Sequence, residues 1–375
     1  MDTLRPPEGM HVAVMTGGGD CPGLNAVIRG AVKVGVRKHG FSMLGIEDAF
    51  SGLINPNYRS PHGNIDLTGA VVREILPRGG TILGTSNHSD PFRYVVERDG
   101  VEVETDISDR VMENFHALGL DGLISIGGDG SMRIAKRFMD LGMPVVGVPK
   151  TIDNDLAATD VTFGFDTAVQ TATDALDRIR DTAESHDRVM LVEVMGRDAG
   201  FIALHAGLAG GAHAILLPEI PYDVAPLVRR IEDRRLRGQP YSVIVVAEGA
   251  KPRGGAESVI AEKLGEMPRL AGAAQRVTLA LEDHIALDMR VTVLGHIQRG
   301  GTPSSFDRVL ATRFGHHAAE LVAMGDFGKM VALRAGEIIA VPIEEAANRP
   351  RRVELDDEIL LTARAMGVVF GDEES

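Results

Sequence analysis

The sequence predicts an α/β protein whose strands lie in parallel sheets covered by helices on both faces. Short, nearly continuous apolar runs of about five residues recur along the chain, as expected of strands buried on both faces. Each run leads into a loop rich in glycine or charge, and segments of helical spacing follow the first two such loops. With 375 residues there is material for two domains or one large one.

The elements follow in order. Residues 11–15 run into TGGGDCPGLN, after which residues 26–38 take helical spacing. Residues 120–126 run into GGDGS and a helix over 132–141, and residues 144–148 run into PKTIDND. A long helix comes next, with Asp166 or Thr167 as its expected cap and Val169, Ala172, Leu176, Ile179 and Ala183 on its apolar face. Residues 189–194 lead into MGRDAG, residues 242–247 into EGAK, and residues 290–294 into GHIQRGG. Ligands of an open parallel sheet collect at the carboxyl ends of its strands, where all these loops are expected. The tail from Pro350 is charged, closes in GDEES and is expected to fray.

Composition narrows the partner. Lys and Arg number 39 against 53 Asp and Glu, a net charge of −14, with four Tyr, twelve Phe and no Trp. Such a chain lacks the basic surplus and stacking aromatics of a nucleic-acid binder. One cysteine, Cys21, forms no intrachain disulfide, which fits a reducing compartment. The start MDTLRPPEG is polar and the apolar run after it is too short for a signal or membrane segment. A soluble cytoplasmic protein without a membrane partner is expected. Glycine makes up 44 of 375 residues, about 12 % against a typical ~7 %, and follows no collagen-like period. The surplus points to tight turns and loops that approach something closely.

Two of those loops, Gly17-Gly18-Gly19-Asp20 and Gly127-Gly128-Asp129-Gly130-Ser131, follow a strand and open a helix. Backbone N–H groups and the helix dipole meet there, an arrangement suited to phosphate oxygens. Neither loop is a Walker A or a G-x-G-x-x-G motif; both also read as plain strand-to-helix turns. Asp129 adds a hard oxygen ligand for Mg²⁺ on a polyphosphate, or caps the helix. Asp153 and Asp155, two apart in an extended loop, can share a face, one accepting a proton from a substrate hydroxyl. Lys150 beside them either pairs with these acids or reaches a transferring phosphate. Arg188, Arg197, Arg290 and Arg299 at strand ends suggest a local cationic pocket for a substrate phosphate. His296 and Glu248 suit sugar or phosphate contacts. Together these residues describe a Mg²⁺-dependent phosphoryl transferase acting on a phosphorylated polyol or sugar.

The motifs TGGGDCPGLNAVIRG, IGGDGS, PKTIDND, FGFDTA, VEVMGRDAG, AEGA and VLGHIQRGG, in this order over about residues 11–315, resemble the 6-phosphofructokinase family. The resemblance implies two Rossmann-like three-layer α/β domains with mostly parallel sheets and an active site in the cleft between them. Residues 1–164 with 298–348 would bind the donor and Mg²⁺; residues 165–297 with 349–375 would bind fructose 6-phosphate. It implies ATP-dependent phosphorylation of the sugar 1-hydroxyl in a homo-oligomer, dimer or tetramer, with shared active sites. Gly19, Gly128, Asp129, Gly130 and Ser131 would line the donor, with Asp129 on the metal. Asp153 would be the base, with Thr151 beside the transferring phosphate and Lys150 near it. Thr151, Asp153, Met195, Gly196, Arg197, Glu248, His296 and Arg299 would hold the sugar phosphate, and Arg188 and Arg290 would reach the neighbouring subunit's site.

Three departures from the family pattern bear on the donor and on regulation. The family's ATP enzymes often carry Gly where Lys150 stands. Lys there is typical of pyrophosphate users and of a mixed-substrate bacterial branch that uses ATP, the branch this chain resembles. Pyrophosphate users usually carry Asp where Gly130 stands. Gly130 leaves room for a nucleotide α-phosphate, so the pair favours ATP, with pyrophosphate as the alternative. Asn87 occupies a position where the family commonly has an Arg on the transferring phosphate, with Lys150 or Arg93 available to compensate. Of a basic effector cluster Arg29, Lys33 and Arg180 remain, but RGQP stands where a basic pair is expected before Tyr241. Regulation by a nucleoside diphosphate or phosphoenolpyruvate is therefore not expected. Another sugar phosphate as acceptor, and a non-catalytic paralogue, stay open as alternatives.

Overall fold

Strands and helices alternate through most of the chain. In the computed structural model, residues 9–57, 64–87, 89–98, 100–257, 259–261, 269–270, 272–347 and 350–374 are described. Most of the polar start, through Glu8, and the final Ser375 lie outside the described residues. First come β1 (His11–Thr16), α1 (Leu24–His39), β2 (Ser42–Ile46), α2 (Ser51–Ile54) and β3 (Ile65–Asp66). A hairpin of β4 (Tyr94–Arg98) and β5 (Val101–Thr105) precedes α3 (Ser108–Ala117), β6 (Gly122–Gly127), α4 (Asp129–Asp140) and β7 (Val145–Pro149). Then follow α5 (Phe165–His186), β8 (Val189–Val194), α6 (Phe201–Ala209), β9 (Ala214–Leu216), α7 (Val224–Leu236) and β10 (Ser242–Ala247). Short strands β11 (Val259–Ala261) and β12 (Arg269–Leu270) lead to α8 (Ala273–Glu282) and β13 (Met289–Val293). The chain closes with α9 (Ser305–Met324), β14 (Lys329–Arg334), β15 (Glu337–Pro342), α10 (Ile343–Ala347) and α11 (Glu358–Ala365).

Two larger sheets result. One has seven strands in the order β15-β14-β7-β6-β1-β2-β3, with β2, β1, β6, β7 and β14 parallel and the two edge strands antiparallel. The other, β13-β8-β10-β9, is parallel throughout. Strands β6, β7, β8 and β10 are buried at every residue, which is why they read as nearly continuous apolar runs rather than alternating ones. The edge strand β13 is half-buried and alternates polar and apolar. No helix among the described residues is long and apolar enough to cross a membrane.

Helices α1 and α9 cross at a point of close approach. A Cβ on Gly315 would stand 2.2 Å from the Val27 carbonyl oxygen, and one on Gly30 would stand 2.7 Å from that of Thr312. Some of the glycine surplus therefore serves helix packing and has no part in ligand loops.

Two local expectations are corrected. Helix α5 buries Ala172, Leu176 and Ala183 as its spacing predicted, but neither Asp166 nor Thr167 caps it. Instead Asp307, in the first turn of α9, accepts from the N–H of Thr167 at 2.8 Å and from its hydroxyl at 2.5 Å. Asp166 accepts from the hydroxyl of Ser304. Nor does the tail fray. Helix α11 is capped by Asp357, Val369 bridges Ala214 in parallel, Phe370 is fully buried, and Arg364 pairs with Asp372 at 2.7 Å.

Candidate active site

Four loops at the carboxyl ends of β1, β6, β7 and β8 meet, joined by the loops after β10 and β13. The glycine loop after β1 is partly committed to the fold. The N–H of Gly17 donates to Ile126 O at 2.9 Å and that of Gly18 to Ser86 O at 3.2 Å. These two N–H groups are thus not available to an anion: Gly17 extends the β1–β6 ladder, and Gly18 is tied to the loop that follows β3. In the second loop Gly128 holds the cap position of α4 and Asp129 is its first residue. Asp129 accepts from the N–H of Gly130 at 2.6 Å and pairs with Arg133 at 2.6 Å, so it stands one residue inside the expected cap. A side chain at Gly130 would meet only the Arg133 guanidinium, 3.7 Å away, which leaves this end of the helix open.

Lys150 is buried, and its ammonium donates to the carbonyl of Gly19 at 2.5 Å. It therefore reaches the first glycine loop, and among the described residues its side chain bonds to backbone rather than to the neighbouring acids. Burial lowers its pKa. Asn87 Oδ1 and Lys150 Nζ both flank Gly18, 3.9 and 3.3 Å from where a Cβ on that residue would stand. Arg93 is held elsewhere, by Glu104 of the β4–β5 hairpin at 2.7 Å.

The acidic loop is bent, not extended. Asn154 takes a left-handed conformation (φ 54°), and its buried amide oxygen accepts from the N–H of Thr162 at 3.0 Å. Thr151 Oγ1 accepts from the N–H of Asp153 at 3.0 Å. Burial, partly offset by Arg299, raises the Asp153 carboxyl to about 6, and Glu248 adds to the rise. Burial and the charge of Asp153 push Asp155 up as well. Asp153 Oδ1 is buried and has no hydrogen-bond partner among the described residues, although a buried carboxylate oxygen normally finds one.

Facing this acid are the loops of the smaller sheet. The N–H of Gly249 donates to Gly196 O at 3.1 Å, and that of Met195 to Gln298 Oε1 at 3.4 Å. The N–H of Gly196 also supports the Glu248 carboxylate, whose pKa burial raises. Arg299 donates to Asp20 O at 3.3 Å, tying the turn after β13 to the first glycine loop. Met195 and Gly196 are buried, Arg197 and Ser131 half-buried, and His296 exposed.

A family model described as phosphofructokinase matches residues 11–322. The chain belongs to the phosphofructokinase family. It is therefore an enzyme of the family its motifs resembled. It is 50 % identical over 364 residues to the ATP-dependent 6-phosphofructokinase of Chloroflexus aggregans, covering 97 % of this chain and 98 % of that one. It is 49 % identical over 367 residues to the pyrophosphate–fructose 6-phosphate 1-phosphotransferase of Streptomyces coelicolor, covering 96 % and 100 %. Among solved structures, Pichia pastoris phosphofructokinase in the T-state superposes with a TM-score of 0.75 at 30 % identity over 90 % of this chain. This phosphofructokinase chain spans about a third (35 %) of the Pichia chain. A pyrophosphate-dependent phosphofructokinase from Marinobacter aquaeolei shares the fold, with a TM-score of 0.77 at 22 % identity over 97 % of this chain and 89 % of that one.

The four-arginine pocket expected from the sequence does not form within one chain. Arg197 and Arg299 stand at the carboxyl ends of β8 and β13. Arg188 precedes β8 and Arg290 is the second residue of β13, so both lie at the opposite, amino ends of these parallel strands. There Asp288 accepts from both, from Arg188 at 2.7 Å. Arg180, of the expected effector cluster, donates to the backbone carbonyl of Gly210. Sequence reasoning missed two residues that build this phosphofructokinase site. Gln298 is fully buried inside a motif already singled out, and an uncharged amide in a charged turn was its only signal. Glu219, after β9, lay in a segment without a motif.

Proposed function

We propose that this phosphofructokinase transfers the γ-phosphoryl group of ATP to the 1-hydroxyl of fructose 6-phosphate, giving fructose 1,6-bisphosphate. The observation that carries the reading is Asp153: its Oδ1 is buried yet without a hydrogen-bond partner among the described residues, near Lys150, Glu248 and Arg299. An acceptor oxygen held there in readiness suits a general base for a sugar hydroxyl. Thr151 supports its loop, and Lys150 supplies positive charge toward the transferring phosphoryl group in the place of the arginine that Asn87 replaces.

Gly19, Gly128, Gly130 and Ser131 would border the donor, and the open approach to Gly130 favours a nucleotide over pyrophosphate. The Asp129 carboxylate, 42 % exposed at its side chain, offers a hard oxygen beside that border. No group of three or more His, Cys, Asp or Glu among the described residues could hold a metal ion. With Asp129 as its protein ligand, a Mg²⁺ would arrive with the polyphosphate and neutralise its charge. Met195, Gly196, Arg197, Glu248, His296 and Arg299 would hold fructose 6-phosphate. Arg188 and Arg290, too far along their strands to serve their own site, would complete that of a neighbouring copy in a homo-oligomer. Residues 1–164 with 298–348 would form the donor domain, and residues 165–297 with 349–375 the sugar domain.

A coupled assay for fructose 1,6-bisphosphate with ATP and pyrophosphate side by side tests this. Turnover with ATP is expected. Turnover with pyrophosphate alone would reverse the donor assignment, and turnover only with another sugar phosphate would reverse the acceptor.

A further inference from the structure

The segment 350–353 joins the acidic loop that carries the proposed base to the loop that the proposed function assigns to the sugar phosphate. On one side Pro350 pairs with Leu156 in an antiparallel bridge, and the N–H of Arg351 donates to Asp155 O at 2.7 Å. On the other, the N–H of Val353 donates to Glu219 Oε1 at 2.9 Å, and the same oxygen accepts from the N–H of Gly200 at 3.0 Å. Gly200 closes the MGRDAG loop and immediately precedes α6. The Arg351 guanidinium donates to Asp160 O and lies 4.8 Å from the ring centroid of Phe201, the first residue of α6.

This contact is tight. A Cβ on Gly200 would stand 2.7 Å from Leu217 Cδ2 and 3.0 Å from Glu219 Oε2. Both Gly200 and Val353 are buried, so removing the acceptor would strand two N–H groups away from water. A carboxylate also holds such donors more strongly than a neutral group does. Asp155 sits two residues from Asp153, and Gly200 three from Arg197. One continuous hydrogen-bonded path therefore runs from the acidic loop through 350–353 and Glu219 to the loop of Met195–Gly196–Arg197.

We infer that Glu219 is a positioning residue for the sugar-phosphate loop, fixing it through the 350–353 segment relative to Asp153. It touches neither reactant. The inference rests on the proposed function, because it names which reactant the positioned loop binds. Its signature is selective: the loop shifts while the donor loops and the base stay in place.

Kinetics of the full-length chain test it, with Glu219→Ala, Glu219→Gln and Arg351→Ala assayed beside the wild type and each checked by thermal melting. Glu219→Ala should raise the KM for fructose 6-phosphate about tenfold, with kcat and the KM for ATP within about twofold. Glu219→Gln keeps an accepting oxygen and should stay within about threefold of the wild type. Arg351→Ala should raise the same KM. A folded Glu219→Ala with an unchanged sugar KM overturns the inference, as does a Gln variant as impaired as the Ala one. Where Glu219→Ala does not fold, Arg351→Ala decides, and an unchanged sugar KM in it is equally fatal. A wild type inactive on fructose 6-phosphate overturns the proposed function and this inference with it; an active wild type with unmoved variants overturns this inference alone.

Discussion

The ammonium of Lys150 donates to the carbonyl of Gly19, 2.5 Å away, and so reaches from the end of one central strand across to the glycine loop after another. Strands β1 and β7 both flank β6, so the two loops emerge side by side although about 130 residues separate them in sequence. A buried cation is thereby set at the first glycine loop, whose Gly17 and Gly18 N–H groups are themselves committed to the fold.

Replacing that cation should slow the chemistry more than it weakens binding. Lys150→Ala removes charge from the point where the transferring phosphoryl group would pass, and Asn87 brings none. A loss of about 10²–10³ in kcat with ATP is expected, with the KM for fructose 6-phosphate little changed. Steady-state kinetics check this. Equal losses in kcat and sugar binding would remove Lys150 from the donor side.

The rate should depend on a carboxylate that titrates unusually high. Asp153, held at about 6 by burial, accepts a proton only when ionised, so kcat/KM should fall as pH drops through about 6. Lys150 and Arg299 both favour the ionised form, so residual activity in Lys150→Ala should show this limb at higher pH. Asp153→Ser should reduce kcat by roughly 10²–10⁴ and leave fructose 6-phosphate binding nearly intact. A pH–rate profile from 5 to 8 together with equilibrium binding of the sugar phosphate reads both.

Much of this was legible in the chain. Strands β8 and β10 coincide with the apolar runs 189–194 and 242–247, because a strand buried on both faces needs no alternation to declare itself. Strands β14 and β15 offered less, since β15 is an edge strand and half of it is exposed although residues 338–341 are all apolar. The Asp307–Thr167 cap joins residues 140 apart, and nothing local to either announces it. Arg188 and Arg290 show why a strand end alone does not locate a pocket. Both stand at the amino ends of their parallel strands, remote from the ligand edge.

The α1–α9 crossing should tolerate no added carbon. A Cβ at Gly315 would overlap the Val27 carbonyl at 2.2 Å and the Ala31 nitrogen at 2.8 Å, both backbone atoms that cannot swing aside. Gly315→Ala should therefore destabilise by roughly 1–3 kcal/mol, although alanine is the better helix former. Urea unfolding reads the change as a lower midpoint at unchanged slope. A midpoint at or above that of the wild type would show that the helices separate at little cost.

The cap from Asp307 predicts a pH dependence of stability with a definite sign. Burial raises this carboxyl from an ordinary 3.8 to about 6 in the folded chain, even though it accepts two hydrogen bonds from Thr167. Between those two values the folded state holds a proton that the unfolded state has released, so stability falls as pH rises from about 4 to about 6. Below the window both states are protonated and the penalty vanishes; above it both are ionised and the penalty is constant. A difference of about 2 units corresponds to on the order of 3 kcal/mol. Asp307→Asn keeps one accepting oxygen for Thr167 and cannot ionise. The variant should therefore gain on the wild type as pH rises through that window, its urea midpoint moving from below or level at pH 4 toward or above it at pH 7. Other buried carboxylates shift both proteins alike, so the difference between them isolates this one. A wild-type advantage that grows with pH would mean that the cap favours the ionised acid, and that Thr167 outweighs burial.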